Sequence, residues 1–592
     1  MATDMQSTAK GAGFLITPVT KAQFLTPEKF DDEQQAVREL ARTFTEREVL
    51  PKSDAIDHQE EGLLKSLLRK AGEQGILGVD VPEAFGGQDL GLVYSAIIAS
   101  EQAEGSFAVA MGTQTTIGLL PIVYYGNEEQ KARFLPKMVT GELVSCYMLT
   151  EPGAGSDAMN IKTRAELAPD GKHYILNGVK QWISNGGFAD IGIAFAKIND
   201  TQFTGFIVDM KSPGIRLGAE EKKMGIKGSS TRAVFFENVD VPVENVLGEI
   251  GRGHKIAFNI LNIGRLKLGV GGVSAARRAL NLSADFAHTR KAFGKAIDQF
   301  GLIQLKLAAM AAETYAIEAM GFRVASDIEH TRAAAGENKQ AQINAVEEFA
   351  IEASISKVYG SEAVGRVVDD GVQIFGGNGF MQEYPIEKGY RDARITRIFE
   401  GTNEINRLLA AGVLFDRVMK NKVDLFGLFN EVDPQIQAGE SPDFAADDTP
   451  TELRSAVNAL EHAKRAAVYA AMKASMKYMM TLKEEEEFLG NVGDMLIYLY
   501  VLDSVIGRAL HATRAGDAKA KIHTQLANFN TMKLLPNIRV AAERILQDAL
   551  ESEDREKELK LTRAYFADVD ASYTTLSRAL AEEVIQSGGY PL

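Results

Sequence analysis

From about Asp31 to Gly141 the apolar residues recur at helical spacing, as at Val37, Leu40, Ala41 and Phe44 and again from Leu63 to Leu77. This predicts a helical domain over 31–143, preceded by an N-terminal extension, 1–30. From Val144 to about Gly248 the texture changes to short β-rich runs, such as Tyr174-Ile175-Leu176 and Ala233-Val234-Phe235-Phe236, punctuated by Asn-Gly, Gly-Gly and Pro-Gly turns. A β domain over 144–252 is expected there. Helical patterns return from His254 to about Met419, interrupted by Phe375-Gly376-Gly377-Asn378-Gly379-Phe380, and predict a second helical domain over 253–428. The stretch 429–450 is rich in Asp, Pro, Ser and Gly without periodicity and reads as a linker. Beyond it, 451–592 reads as a helical bundle. Its stripe Leu453, Val457, Leu460, Ala467, Ala471, Met472 and Met479 is flanked by Lys464, Arg465, Lys473 and Lys477. That stripe suits packing against neighbouring helices, or peripheral contact with a membrane surface.

The length of 592 residues calls for more than one core, and 45% hydrophobic with 24% charged residues is an ordinary globular composition. The net charge of −15 disfavours sequence-independent nucleic-acid binding, which needs basic residues against phosphates. A single cysteine, Cys146, excludes an intramolecular disulfide and a Cys-rich metal site, and points to a reducing compartment such as the cytoplasm. Met1 to Pro18 lacks the pattern of a signal peptide, and no later run approaches about 20 uninterrupted apolar residues.

Five segments carry candidate chemistry. Cys146-Tyr147-Met148-Leu149-Thr150-Glu151-Pro152-Gly153-Ala154-Gly155-Ser156-Asp157 combines glycines, which let backbone amides approach a ligand, with hydroxyl donors. It has neither the G-x-S-x-G order of a hydrolase elbow nor a Rossmann fingerprint. Gly178 to Gly187 holds the one tryptophan, Trp182, which suits a β-core plug or a stacking face for a flat ring. Arg290-Lys291-Ala292-Phe293-Gly294-Lys295 is a basic helix end suited to a pyrophosphate. Phe375 to Tyr384 and Arg397-Ile398-Phe399-Glu400-Gly401-Thr402-Asn403-Glu404-Ile405 complete the set.

In this order the five segments resemble the acyl-CoA dehydrogenase family, most closely its very-long-chain type with an extra C-terminal helical domain. The resemblance implies a mainly α protein with a helical N-terminal domain, a β-barrel-like middle domain, a C-terminal four-helix bundle and a helical extension. It implies FAD between the middle domain and the bundle. Tyr147, Met148, Leu149, Thr150 and Gly155 match the segment lining the flavin, with Trp182, Ile183 and Ser184 on its face. Thr402 and Glu404 match the segment closing around it. Arg290, Phe293, Gln373 and Gly377 match positions that hold the pyrophosphate and adenosine across a subunit interface, which implies a homodimer. Ser156, Asn262 and Arg265 fall where the family contacts the CoA arm, Ser156 also being counted with the cofactor, and Phe399 and Gly401 flank the substrate.

The implied reaction is α,β-dehydrogenation of a fatty acyl-CoA in fatty acid β-oxidation, with Glu400 as base. Some relatives place the base where this chain has Gly264, which cannot serve. The family implies electron-transfer flavoprotein as acceptor. A related family of oxidases passes electrons to oxygen, and some relatives are non-enzymatic assembly proteins, so both remain as alternatives. Val109 to Thr113, near where relatives end the acyl pocket, is built of small residues and favours a long chain.

Overall fold

The computed structural model describes residues 10–336 and 338–592, so the first nine residues of the expected N-terminal extension lie outside it. In the first domain, helices Asp32–Phe44 and Glu128–Val139 each start at a reciprocal capping box, Asp31 with Gln34 and Asn127 with Gln130. Between them lie helices Leu63–Glu73, Leu92–Ala99 and Gly105–Gly112. Phe44, Leu67, Leu68 and Phe107 form the core that their helical spacing predicts.

The middle domain is one sheet of strands β1 (Ser145–Met148), β2 (Arg164–Leu167), β3 (His173–Ser184), β4 (Ile191–Ile198), β5 (Gln202–Asp209), β6 (Ile215–Leu217), β7 (Thr231–Pro242) and β8 (Val246–Leu247). Their order is β6-β7-β3-β2-β4-β5-β8, with β1 paired in parallel to β4. The sheet is mixed and open among the described residues, which corrects the barrel-like expectation. Its end strands β6 and β8, of three and two residues, are too short to join into a closing ladder. Beside β5 the helix Gly253–Thr289 packs instead, with Gly253 against the backbone of Thr204 and Gly205, too close for a Cβ.

Four helices, Gly253–Thr289, Gly301–Ala334, Ala350–Phe375 and Asn403–Met419, build the central bundle. The first and third approach closely where Gly269 meets Ser356 and Gly360. The expected linker begins later than 429, because helix Leu425–Ala438 buries Leu425, Phe429, Val432 and Ile436 along one face despite Pro434. Irregular chain is confined to 439–450.

Helices Thr451–Tyr478, Glu486–Arg514, Ala520–Ala549, Ser552–Tyr565 and Tyr573–Gln586 form the tail. The apolar stripe points inward: Leu453, Val457, Leu460, Ala467, Ala471 and Met472 are buried, and only Met479 is exposed. Lys464 is also buried, paired with Glu461 and Asp503. Gly105–Tyr125 and Glu486–Arg514 are long and apolar enough by composition to cross a membrane, yet both are mostly buried within the fold.

The described part of the N-terminal extension is a strap tied into the bundle and tail. Ala12 N–H donates to Glu352 at 2.6 Å and Val19 N–H to Glu461 at 2.9 Å. Glu28 pairs with the buried Arg508, which also holds Glu318 at 2.9 Å. Glu318 in turn meets Arg277 at 3.2 Å and Arg38 at 3.5 Å, and both arginines reach Glu101. One ionic chain therefore joins strap, first domain, bundle and tail. Removing one member of a buried pair strands its partners' charges, so Arg508→Met is expected to lower unfolding stability by about 3–5 kcal/mol in urea denaturation. An unchanged midpoint would show that the network contributes nothing.

Candidate active site

Glu400 sits where the short helix Arg394–Arg397 gives way to Asn403–Met419. Its backbone is left-handed, φ 58°, followed by Gly401 at φ 83°, and this double turn brings the side chain against the Gly253–Thr289 helix. A Cβ on Gly264 would lie 2.9 Å from Glu400 Oε2, so the bare glycine makes room for the carboxyl. Oε2 is buried and has no hydrogen-bond partner among the described residues. Burial pushes the Glu400 carboxyl up to about 7, against the opposing pull of Arg265 and Lys357.

The donors around Glu400 bind its backbone. Arg265 Nε donates to the Glu400 carbonyl at 3.2 Å, and Asn406 Nδ2 to the carbonyls of Gly401 and Thr402 at 2.9 and 3.0 Å. Lys357 Nζ donates to the Gly401 carbonyl and to Asn403 Oδ1, both at 2.7 Å. Thr402 caps the next helix through Ile405 N–H. Asn262 and Arg265, expected at a CoA arm, are buried and bonded to each other at 2.9 Å, so in this structure they brace the Glu400 turn.

The Tyr147 and Trp182 segments are brought together by a buried ion pair. Lys180 Nζ donates to Glu151 at 2.7 Å and to the Leu149 carbonyl at 3.3 Å, while Gln181 N–H donates to the Thr150 carbonyl at 2.9 Å. Burial depresses Lys180 to about 8 although Glu151 resists it. Beyond this clamp a register shift between Lys180 and Ile183 puts Trp182 at φ 58° and leaves it 59% exposed. Tyr147 is buried, its hydroxyl without a partner among the described residues and its acidity suppressed first by burial and then by the charge of Glu400. Met148 and Ile183 are corrections: both side chains are buried in the sheet core, so they offer a ligand only their backbones. Leu149 belongs to the main core, whereas Gly155 and Ser156 lie on an exposed loop.

Arg290, Phe293, Gln373 and Gly377 do not line the cavity that contains Glu400. They form an exposed surface of their own, joined beneath by stacking of Phe286 on Phe375 at 4.2 Å. Phe293 is 96% exposed at φ 52° in a tight basic hairpin. Glu404 is exposed on the first turn after Thr402.

The cavity encloses about 290 Å³, and Ser184, Phe399 and Glu400 line its wall. Val109, Met111, Gly112 and Thr113 line it from the first domain, as the small residues there imply. Lys357, Asn403 and Asn406 were not singled out from the sequence. The available signal was a lysine inside the apolar helical run Ile355-Ser356-Lys357-Val358, since fully buried lysines are rare unless paired. Burial pushes Lys357 down to about 7 while Glu400 favours its charge. Lys357→Met removes that charge, so the Glu400 carboxyl is expected to titrate above about 7. Its infrared carboxyl band, assigned by its loss in Glu400→Gln, measures this; an unchanged or lower midpoint contradicts the coupling.

Known proteins share this order of domains. Family models for the acyl-CoA dehydrogenase N-terminal, middle and C-terminal domains match residues 31–142, 146–239 and 251–415, and a further acyl-CoA dehydrogenase C-terminal model matches 462–563. A probable acyl-CoA dehydrogenase of Bacillus subtilis (strain 168) is 43% identical over 527 residues, 88% of each chain. The mitochondrial very long-chain specific acyl-CoA dehydrogenase of Homo sapiens is 34% identical over 567 residues, 90% of this chain and 83% of that protein. A crystal structure of an acyl-CoA dehydrogenase complexed with FAD from Bacillus anthracis superposes with a TM-score of 0.95 at 40% identity, covering 99% of this chain and 100% of that one. With four matched models in order and relatives covered over most of both chains, the chain belongs to the acyl-CoA dehydrogenase family.

Proposed function

We propose that this protein is an FAD-dependent dehydrogenase of long-chain fatty acyl-CoA, introducing the α,β double bond in fatty acid β-oxidation. The observation that carries the reading is the buried carboxyl of Glu400 at the wall of an apolar cavity, with no hydrogen-bond partner for its Oε2 among the described residues. The residues present fit FAD: an exposed indole held outward by a bulge, the Thr150 and Ser184 hydroxyls beside it, and a separate basic surface at Arg290 with an exposed aromatic, Phe293. Trp182, Thr150 and Ser184 would hold the flavin, and Arg290, Phe293, Gln373 and Gly377 of a second copy would hold the pyrophosphate and adenosine, which makes the assembly a homodimer. FAD supplies the hydride acceptor for the β-carbon.

Glu400 takes the α-proton onto its carboxylate, and its backbone N–H donates to the thioester carbonyl as negative charge develops there. Arg265 and Lys357 fix the turn that aims both groups. Their positive charges keep the carboxyl from rising further, which leaves a base that is substantially ionised near neutral pH. The apolar walls exclude water from the reacting carbons. Electrons leave to electron-transfer flavoprotein, and the buried lone thiol of Cys146 suits the cytoplasm.

Two outcomes test the reading. In anaerobic flavin-bleaching assays with long saturated acyl-CoA, Glu400→Gln is expected to retain FAD and lose roughly 10²–10⁴-fold in rate, the usual contribution of a general base. Full activity in that variant would refute the assignment. For wild type, kcat/KM is expected to rise tenfold per pH unit below about 7 and to level off above, because the protonated carboxyl cannot accept a proton. A profile that falls with rising pH across that window contradicts it.

A further inference from the structure

The cavity extends well past the reacting centre along one face of the Gly253–Thr289 helix. Gly264, Leu268, Gly271, Ala275 and Arg278 all line it, at the three- and four-residue spacing of a single stripe. The small residues in that stripe keep the path open, and Gly112 opposite has nothing within 4 Å of where a Cβ would stand. Arg278 puts a long cationic side chain into this stripe, and Ala279 and Leu282 continue the lining beyond it. Fourteen positions separate it from Gly264, which at 1.5 Å per residue is roughly 21 Å along the helix. Side chains on a helix lean toward its N-terminus, which on this helix is the Glu400 side of Arg278.

Arg278 is half-buried, and no hydrogen bond or ion pair within bonding distance involves it among the described residues. Burial pulls its pKa down, and the carboxylate that offsets this is Glu104. Glu104 is already committed: Oε1 accepts from Lys388 Nζ at 2.6 Å and Oε2 from Phe107 N–H at 2.6 Å. Lys388 is in turn shared with Asp392 at 2.8 Å. The neighbouring charges are thus satisfied by one another, while the guanidinium fork, with five donors and no acceptor, has none of its donors used. A methyl terminus arriving there would bury those donors further at a cost, whereas an oxygen acceptor would satisfy them.

We propose that Arg278 recognises the far end of the acyl chain and that this enzyme accepts long acyl-CoA substrates carrying an ω-oxygen, the ω-carboxylate matching the planar fork best. An extended chain advances ~3.5 Å per three backbone bonds, about 1.2 Å per bond, so chains of about 14–18 carbons span from Glu400 to Arg278. This rests on the dehydrogenase reading above and extends it to the distal end of the substrate. A class of reaction that oxidises the terminal methyl of a fatty acid would supply such substrates.

The test compares palmitoyl-CoA with its ω-hydroxy and ω-carboxy analogues in the FAD-loaded wild type, Arg278→Met and Arg278→Lys. Both kcat/KM and the dissociation constant of each thioester are measured. In Arg278→Met the preference for the ω-carboxy over the plain substrate is expected to fall roughly ten- to a hundred-fold, the value of a hydrogen bond to a charged group. Arg278→Lys keeps the charge without the fork and should recover part of it. A matching fall for the ω-hydroxy analogue also supports the proposal and identifies any ω-oxygen as sufficient. Unchanged ratios in both variants, with wild type turning over palmitoyl-CoA, overturn this inference alone. No turnover of any of the three by wild type overturns the dehydrogenase reading and this inference with it. Circular dichroism of each variant excludes misfolding, and the lysine variant retains the comparison if the methionine variant fails to fold.

Discussion

The Glu400 carboxyl is held at an apolar cavity with no donor spent on its Oε2 among the described residues. Every donor near Glu400 Oε2 would stabilise the carboxylate and make it a weaker base, so the surrounding donors are directed to main-chain carbonyls instead. The left-handed conformation of Glu400 costs of order 1–3 kcal/mol for a residue with a Cβ. Charge-assisted bonds from Arg265 and Lys357 to the carbonyls of Glu400 and Gly401 offset that strain, since such bonds are stronger than neutral ones. The same two cations set the electrostatic level of the base without touching its free oxygen.

This requirement spreads outward through the fold. Lys357 lies on Ala350–Phe375 and Arg265 on Gly253–Thr289, so the spacing of these helices, fixed where Gly269 meets Ser356 and Gly360, determines whether both reach the turn. The first domain supplies the opposite wall of the cavity through Val109 and Gly112, and the sheet supplies Ser184 at its edge. Three domains therefore have to be held in register for one site. The ionic chain Glu28–Arg508–Glu318–Arg277–Glu101 does this from behind, with the strap and tail as its outer members. The tail helices bury their apolar stripe for the same purpose, which explains why their basic residues include a fully buried lysine, Lys464.

The helix–sheet–helix order and the Glu400 turn were legible because both depend on short-range sequence: periodicity in the first case, the Phe-Glu-Gly-Thr run in the second. What could not be read depends on partners hundreds of residues away. Residues 10–30 lack periodicity and look like a loose extension, yet Ala12 and Val19 are secured by Glu352 and Glu461. The composition of 429–450 suggested a linker from its first residue, but burial of Phe429, Val432 and Ile436 on one face continues the helix through Pro434 and outweighs its lost N–H. Met148 and Ile183 lie beside Tyr147 and Trp182 in sequence, and strand alternation turns both side chains into the sheet core. Arg265 was expected at a CoA arm, while its bond to the Glu400 carbonyl emerges only from the packing around the Glu400 turn.

The central claim is that Glu400 is the group that removes the α-proton. A 3-alkynoyl-CoA of long chain tests it directly, because loss of its α-proton rearranges the alkyne to an electrophilic allene that the adjacent base can capture. Peptide mass spectrometry of the inactivated protein is expected to place a single acyl adduct on Glu400. An adduct on any other residue, or α-proton loss without attachment at Glu400, would contradict the account.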